Sequence, residues 1–265
     1  MTTAAQCCKA QGSSAVTGIK EAQIHGVVKM RLTQRKWTES NPKPYIDEVC
    51  VYDIFSGDGI NFVDGEMVMG SPYEIHRAIV ESGLWESKKV RFVASDIREQ
   101  AIQQLATLLG EERRFLVDYR TGPAVDQIVN ASERLRRNQR CHVMLIVDPN
   151  GPGTMPFTEL LALAQTYGRR VDILLNVSET AICRILGCSI TKDKNWWAGF
   201  DAFADVIRAL LVHFKGGWLR QPLPGDRQRW RFICFWSYAP PPRGWLQQHL
   251  IPMDSTTDLN TILGR

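Results

Sequence analysis

The run Cys141-His-Val-Met-Leu-Ile-Val-Asp148 is apolar on both sides of its alternation. A strand covered on both faces carries such a run, and that is the situation in the middle of a parallel sheet. Parallel neighbours need long crossovers, usually helices, and the chain supplies them. Strand-like stretches at 48–55, 89–95, 115–118, 141–148 and 171–176 alternate with helical ones at 98–109, 123–137 and 156–167. Further helices are expected from Ser71, over 178–186 and over 196–214, with one over 19–37 ahead of the first strand. At Gly70-Ser71-Pro72-Tyr73-Glu74, Ser71 is expected to cap, Pro72 to open the helix and Glu74 to complete a capping box.

The end of the chain switches to β without an intervening helix: 217–223, a turn at Pro224-Gly225-Asp226, then 229–238. The expected fold is α/β, a doubly wound, mostly parallel sheet with a C-terminal antiparallel hairpin at one edge. A flexible N-terminus over 1–18 precedes a single domain over 19–265. That domain divides into an N-terminal helix (19–45), a ligand-binding core (46–190) and a C-terminal helix with hairpin (191–265).

Composition excludes several classes. No apolar run approaches the roughly 18 residues of a membrane span, and the first fourteen residues lack the pattern of a signal peptide. The seven cysteines are odd in number and form no CxxC pair. Cys50, Cys141 and Cys234 lie in strand-like runs, where cysteine acts as a small hydrophobe. A reducing, cytoplasmic setting without a metal follows as the expectation. Hydrolase signatures are missing: there is no GxSxG, and Cys141 and His142 fall on opposite faces of one strand.

In a sheet of this kind ligands bind beyond the carboxyl ends of the strands, so the strand ends carry the chemistry. The first ends in Asp53-Ile-Phe55-Ser-Gly57-Asp58-Gly59; neither GxGxxG nor GxxxxGK[ST] is present, which disfavours a dinucleotide and a P-loop. The second ends in Asp96, placed either to accept from two ribose hydroxyls or to cap the next helix. The third ends in Asp118, either a partner for an adenine amino group or another cap. The fourth ends in Asp148-Pro149-Asn150-Gly151-Pro152-Gly153, and Asp148 is the position best placed to hydrogen-bond a reacting amine or water. Asn176 ends the fifth and reads more readily as a helix cap.

The formal charge is +4, and five cations against Asp226 alone crowd one segment: Lys215, Arg220, Arg227, Arg229 and Arg231, interleaved with Trp218 and Trp230. Alternation would project Arg227, Arg229 and Arg231 from one face. Such a row is either a guard on an exposed sheet edge or a contact for a polyanion such as nucleic acid.

The succession Tyr52-Asp53-Ile-Phe55-Ser-Gly57-Asp-Gly59, Gly70-Ser71-Pro72, Asp96 and Val147-Asp148-Pro149-Asn-Gly151 resembles the three-Cys-motif partner proteins, which are S-adenosylmethionine-dependent methyltransferase-like proteins. His25 and Lys29 resemble that family's N-terminal helix, and Phe232 to Trp236 with Arg243-Gly244 its aromatic end. The resemblance implies a Rossmann-like methyltransferase fold that binds S-adenosylmethionine. Asp53, Phe55, Gly57 and Gly59 would line the methionine end of the cofactor, Asp96 its ribose and Asp118 its adenine. Asp148, Pro149 and Asn150 would form the catalytic turn. Asn150 and Gly151 replace the second proline and the aromatic of the D-P-P-[YFW] turn of amino-directed DNA methyltransferases, which removes a stacking platform for a flipped base. The implied activity is methyl transfer to a nitrogen or oxygen nucleophile. The alternative is a non-catalytic binding module on the same fold, working with a protein or nucleic-acid partner. Residues 61–69 are expected to form a lid or small hairpin over the ligand.

Overall fold

The computed structural model describes residues 17–33, 46–63, 65–149, 155–178, 196–214, 216–220, 230–237, 250–253 and 256–258. Its strands are β1 (Glu48–Asp53), β2 (Ile60–Val63), β3 (Glu66–Met69), β4 (Lys89–Asp96), β5 (Leu116–Thr121), β6 (Cys141–Val147), β7 (Val171–Ser178), β8 (Gly216–Arg220), β9 (Trp230–Trp236) and β10 (Leu250–Met253). The helices are α1 (Thr17–Leu32), α2 (Ser71–Ser82), α3 (Glu99–Leu109), α4 (Ala124–Arg137), α5 (Phe157–Tyr167) and α6 (Trp196–Leu211). The expected helix over 178–186 lies outside the described residues, and 34–45 do too.

Eight strands form one sheet in the order β10-β8-β9-β7-β6-β1-β4-β5. Pairing is parallel from β7 through β6, β1 and β4 to β5. As the apolar run requires, β6 lies in the interior, between β1 and β7, and every residue of it is buried. The order reverses between β1 and β6, so the strand ends there face the crevice of a doubly wound sheet.

The C-terminal strands differ from a simple edge hairpin. β9 inserts between β7 and β8 and is antiparallel to both, so β8 runs with β7; β10 then pairs antiparallel with β8 and forms the edge. Arg231, expected on an edge, therefore sits on an interior strand, its backbone opposite Val177. Lys215, Arg227 and Arg229 lie outside the described residues.

Alternation sorts the core into two layers. Cys50, Tyr52, Val143, Leu145, Ile173 and Leu175 face one side with Ile128 and Leu135 of α4, Leu160 and Leu163 of α5 and Ile207 of α6. Val49, Val51, Phe92, Met144, Ile146 and Leu174 face the other with Ile24, Val28 and Leu32 of α1, Ile75 and Ile79 of α2 and Leu105 of α3. Cys50, Cys141 and Cys234 are free thiols inside this core. Cys50 and Cys141 come within 3.8 Å at sulfur. No helix among the described residues is long and apolar enough to cross a membrane.

α1 crosses the sheet face against the direction of the parallel strands, with an ion pair near each end, part-buried at Lys20 and buried at Arg31. Lys20 Nζ meets Asp148 Oδ2 at 2.7 Å just past β6, and Arg31 grips Asp172 near the start of β7 at 2.5 and 2.7 Å. His142 Nε2 and the Ser237 backbone N–H complete the Asp172 carboxylate, at 2.9 and 2.8 Å. Burying Ile24, Val27, Val28 and Leu32 contributes roughly 1.5–3 kcal/mol per residue to the docking. The ion pairs add little net stability, because desolvation offsets their attraction, but they fix where the helix stops. Arg31→Met strands a buried carboxylate and is expected to cost about 3–5 kcal/mol, read from the urea midpoint. A loss near 1 kcal/mol would show that Asp172 is satisfied without Arg31.

Candidate active site at the carboxyl ends of β1, β6 and β7

β1 ends where the sheet order reverses, and Asp53 points to the α1 side with no exposed surface. Its Oδ2 accepts the Ser71 hydroxyl at 2.9 Å and its Oδ1 the Phe55 N–H at 3.4 Å. Ser71 therefore does not cap α2 as expected: Gly70 holds the N-cap position without a side-chain bond, and Glu74 turns to His25 and Arg77. Phe55 is half-buried against the opposite core layer.

The loop after β1 is fastened to the end of β4. Ser56 donates its N–H to Ser95 O at 2.8 Å and its hydroxyl to Asp53 O at 3.0 Å, while its Oγ receives the Ser95 N–H. Asp96 closes this tie: Oδ2 accepts the Gly57 N–H at 3.1 Å, and Oδ1 accepts the N–H and Nε of Arg98 at 2.9 and 3.0 Å. Asp96 thus settles the entry to α3 and at the same time stays on the loop that would meet a ligand.

Gly57 and Gly59 have φ of +61° and +80°, in the region that favours glycine. A Cβ on Gly57 would meet only the Arg98 guanidinium, at 3.7 Å, so that side of the loop lies open to a ligand. On Gly59 it would strike Leu105 and Leu108 of α3 at 2.7 and 2.9 Å, so this glycine serves packing. Gly70 N–H bonds Gly59 O at 2.8 Å and closes the base of the β2–β3 hairpin, the small hairpin expected over 61–69.

Asp118 does not end its strand. β5 continues to Thr121, which pairs with Asp96, so Asp118 lies three residues back, opposite Val93. Its Oδ2 is held by Arg91 at 2.5 Å and by Arg120 at 3.4 Å. Those ion pairs explain an acidic residue inside a strand, and they withdraw Asp118 from the strand-end loops.

Asp148 follows β6 and is buried, as is Pro149; Asn150 lies outside the described residues. Its Oδ1 accepts Asn176 Nδ2 at 2.6 Å and its Oδ2 accepts Lys20. Asn176 is no helix cap, because β7 runs past it to Ser178. His25 and Lys29, matched to the family's helix by resemblance, turn instead to Glu74 and Glu81 of the α2 side. The lysine that reaches the site is Lys20, next to Glu21.

The result is a buried polar group on one face of the sheet: Lys20, Glu21, Asp53, Ser71, Asp148 and Asn176. Burial pushes the Glu21 carboxyl up to about 8 against the pull of Lys20, with Asp148 and Asp53 adding to the rise. It pushes Asp53 up to about 7 against the Ser71 hydrogen bond, Asp148 again adding to the rise. Lys20 is held charged by Asp148 and Glu21 in spite of its burial.

No family model matches the chain, and no curated protein matches it. Among solved structures, human methyltransferase-like protein 13 in complex with SAH is similar at a TM-score of 0.47 and 12% identity, over 87% of each chain. The N-methyltransferase NodS from Bradyrhizobium japonicum is similar at 0.43 and 9%, over 83% of this chain and 97% of its own. The plantazolicin methyltransferase BamL, in complex with a desmethyl analogue and SAH, is similar at 0.43 and 8%, over 83% and 85%.

Two expectations follow. Glu21 and Asp53 bind a proton more tightly folded than unfolded. Stability is therefore fullest below the ordinary carboxylate range near pH 4 and falls as pH rises towards about 8. Glu21→Gln should flatten the upper part of that fall in urea midpoints taken across the range; an unchanged slope would mean that Glu21 does not titrate there. Gly59→Ala should cost about 1–3 kcal/mol in thermal or urea unfolding, through its positive φ and the clash with α3.

Proposed function

We propose that the chain is an S-adenosylmethionine-dependent methyltransferase acting on a nitrogen or oxygen nucleophile. The observation that carries this reading is the tie of Asp96 to the open glycine loop, beside buried Asp53 and Asp148 at the strand-order reversal. The residues fit the donor: Asp96 keeps an acceptor site on Oδ2 for a ribose hydroxyl, Gly57 lets a ligand reach the backbone, and the acidic strand ends favour a sulfonium cation. When bound, the cofactor would supply an activated methyl group. Asp148, clamped by Lys20 and Asn176, would orient the nucleophile in line with that methyl and take a hydrogen bond or proton from it. Lys20 and Asn176 act here as positioning residues, because they reach the reaction through Asp148. The motif succession shared with three-Cys-motif partner proteins supports the same reading.

Titration calorimetry with S-adenosylhomocysteine tests it. Binding is expected, and Asp96→Asn should weaken it by about 1–3 kcal/mol, the usual effect of losing a hydrogen bond to a charged group. No heat with about millimolar ligand would overturn the reading. Asp148→Asn should cut methyl transfer while leaving that affinity within a few-fold. Binding without turnover in the unsubstituted protein would favour the non-catalytic module instead.

A polyanion partner belongs to the same proposal and rests on the charge of segment 215–231. Retention on nucleic acid would fall by roughly 0.7–0.9 log units per log unit of salt for each phosphate neutralised. Absence of retention at low salt would remove nucleic acid from consideration.

A further inference from the structure

The site gathers three acidic side chains around one lysine, and burial favours a proton on Glu21 and on Asp53 where a second cation would let them ionise. Two buried oxygens there accept nothing from the described residues: Glu21 Oε2 and Asn176 Oδ1. Glu21 is 3% exposed and Asn176 1%. Each orphan is costly, because a buried acceptor without a donor loses its hydration and gains no bond in return. The amide orientation of Asn176 follows from its neighbour: Nδ2 donates to the Asp148 carboxylate, which leaves Oδ1 as the free acceptor. Lys20, 22% exposed along its side chain, is the open side of the group.

We infer that Glu21 and Asn176 form the receptor for an alkylammonium group of the methyl acceptor, beside Asp148. The inference rests on the methyl-transfer reading and names the acceptor's class as an aliphatic amine. An ammonium brings a charge that would let Glu21 ionise, together with several N–H donors for the two orphan oxygens. An alcohol brings one donor and no charge; a carboxylate adds negative charge among acidic groups and no donor. The α-ammonium of the methyl donor is a second source of the same chemistry. The position argues for the acceptor: Asn176 lies on β7, two strands from the β1 loop that would hold the donor's methionine end. The raised carboxyl of Glu21 suits it to take up the proton an ammonium must shed before it can attack.

The test uses the full chain and ligand-observed NMR with n-butylamine, n-butanol and butyrate, alongside calorimetry with S-adenosylhomocysteine. Butylammonium should bind at least about tenfold tighter than butanol, with butyrate weakest, and Glu21→Gln and Asn176→Leu should each erase about tenfold or more of that affinity. S-adenosylhomocysteine affinity should stay within a few-fold in both variants. Unfolding curves serve as the folding control, and Glu21→Gln should be at least as stable as the parent near pH 8, where burial of the carboxylate is most unfavourable. Equal binding of butanol and butylammonium, or variants that leave butylammonium untouched, would overturn the inference and spare the methyl-transfer reading. Variants that lose S-adenosylhomocysteine but keep butylammonium would assign the orphan oxygens to the donor's own ammonium, which also overturns it. If the parent chain fails to bind S-adenosylhomocysteine, the methyl-transfer reading falls, and the amine preference is then judged by the butylammonium series alone.

Discussion

Asp148 and Asp172 are acidic side chains on the α1-facing side of a sheet whose remaining residues there are largely apolar. Two buried charges in that layer would exclude a dry helix, and each is instead answered by a cation on α1. Lys20 and Arg31 stand eleven positions apart, or about 16 Å at helical rise. That span matches the run from the start of the sheet's middle strands to their ends. The helix is thereby locked lengthwise, and the lock decides what the site contains. Were α1 shifted by one turn, Glu21 would leave Asp53 and Asp148, and the acidic group at the strand ends would lose its lysine.

Much of the frame was readable from alternation. An all-apolar run in β6 demanded a central parallel strand, and the acids and glycines that followed each strand named the edge to watch. Asp53, Gly57, Gly59, Asp96 and Asp148 all meet there because strand ends are fixed by where apolar pattern stops. Asp118 shows the limit of that logic: Tyr119, Arg120 and Thr121 look like a turn entry, yet the strand continues because Arg91 on β4 neutralises the acid inside it. Pattern reveals where a charge interrupts a strand but not whether a neighbour 27 residues away answers it.

Lys20 and Glu21 were illegible for a related reason, and Asn176 read more readily as a cap than as a site residue. On a helix wheel Lys20 and Glu21 are ordinary polar residues near a helix start, and the contact that gives Lys20 its meaning spans 128 positions. Ser71 is a further instance, since a serine before a proline at a helix start reads as a cap whether or not its hydroxyl has a better acceptor. Asp53 is that acceptor, and its burial makes the bond worth more there than at a helix end. The C-terminal segment reads as β, but the insertion of β9 between β7 and β8 depends on pairing partners that local periodicity does not encode.

The β2–β3 hairpin stands apart from this network. It leaves the fold at Gly59 and returns at Gly70, and one backbone bond between those residues closes its neck. Phe62 and Met67 face each other across it, 42% and 56% exposed, and neither belongs to either core layer. A segment joined to the fold chiefly at its neck, with β3 passing beside α1, is modular at its tip: residues there can be added, removed or exchanged while the glycine loop and α2 keep their places. The tip of this ten-residue excursion can therefore drift in length and sequence while the sheet beneath it is left undisturbed.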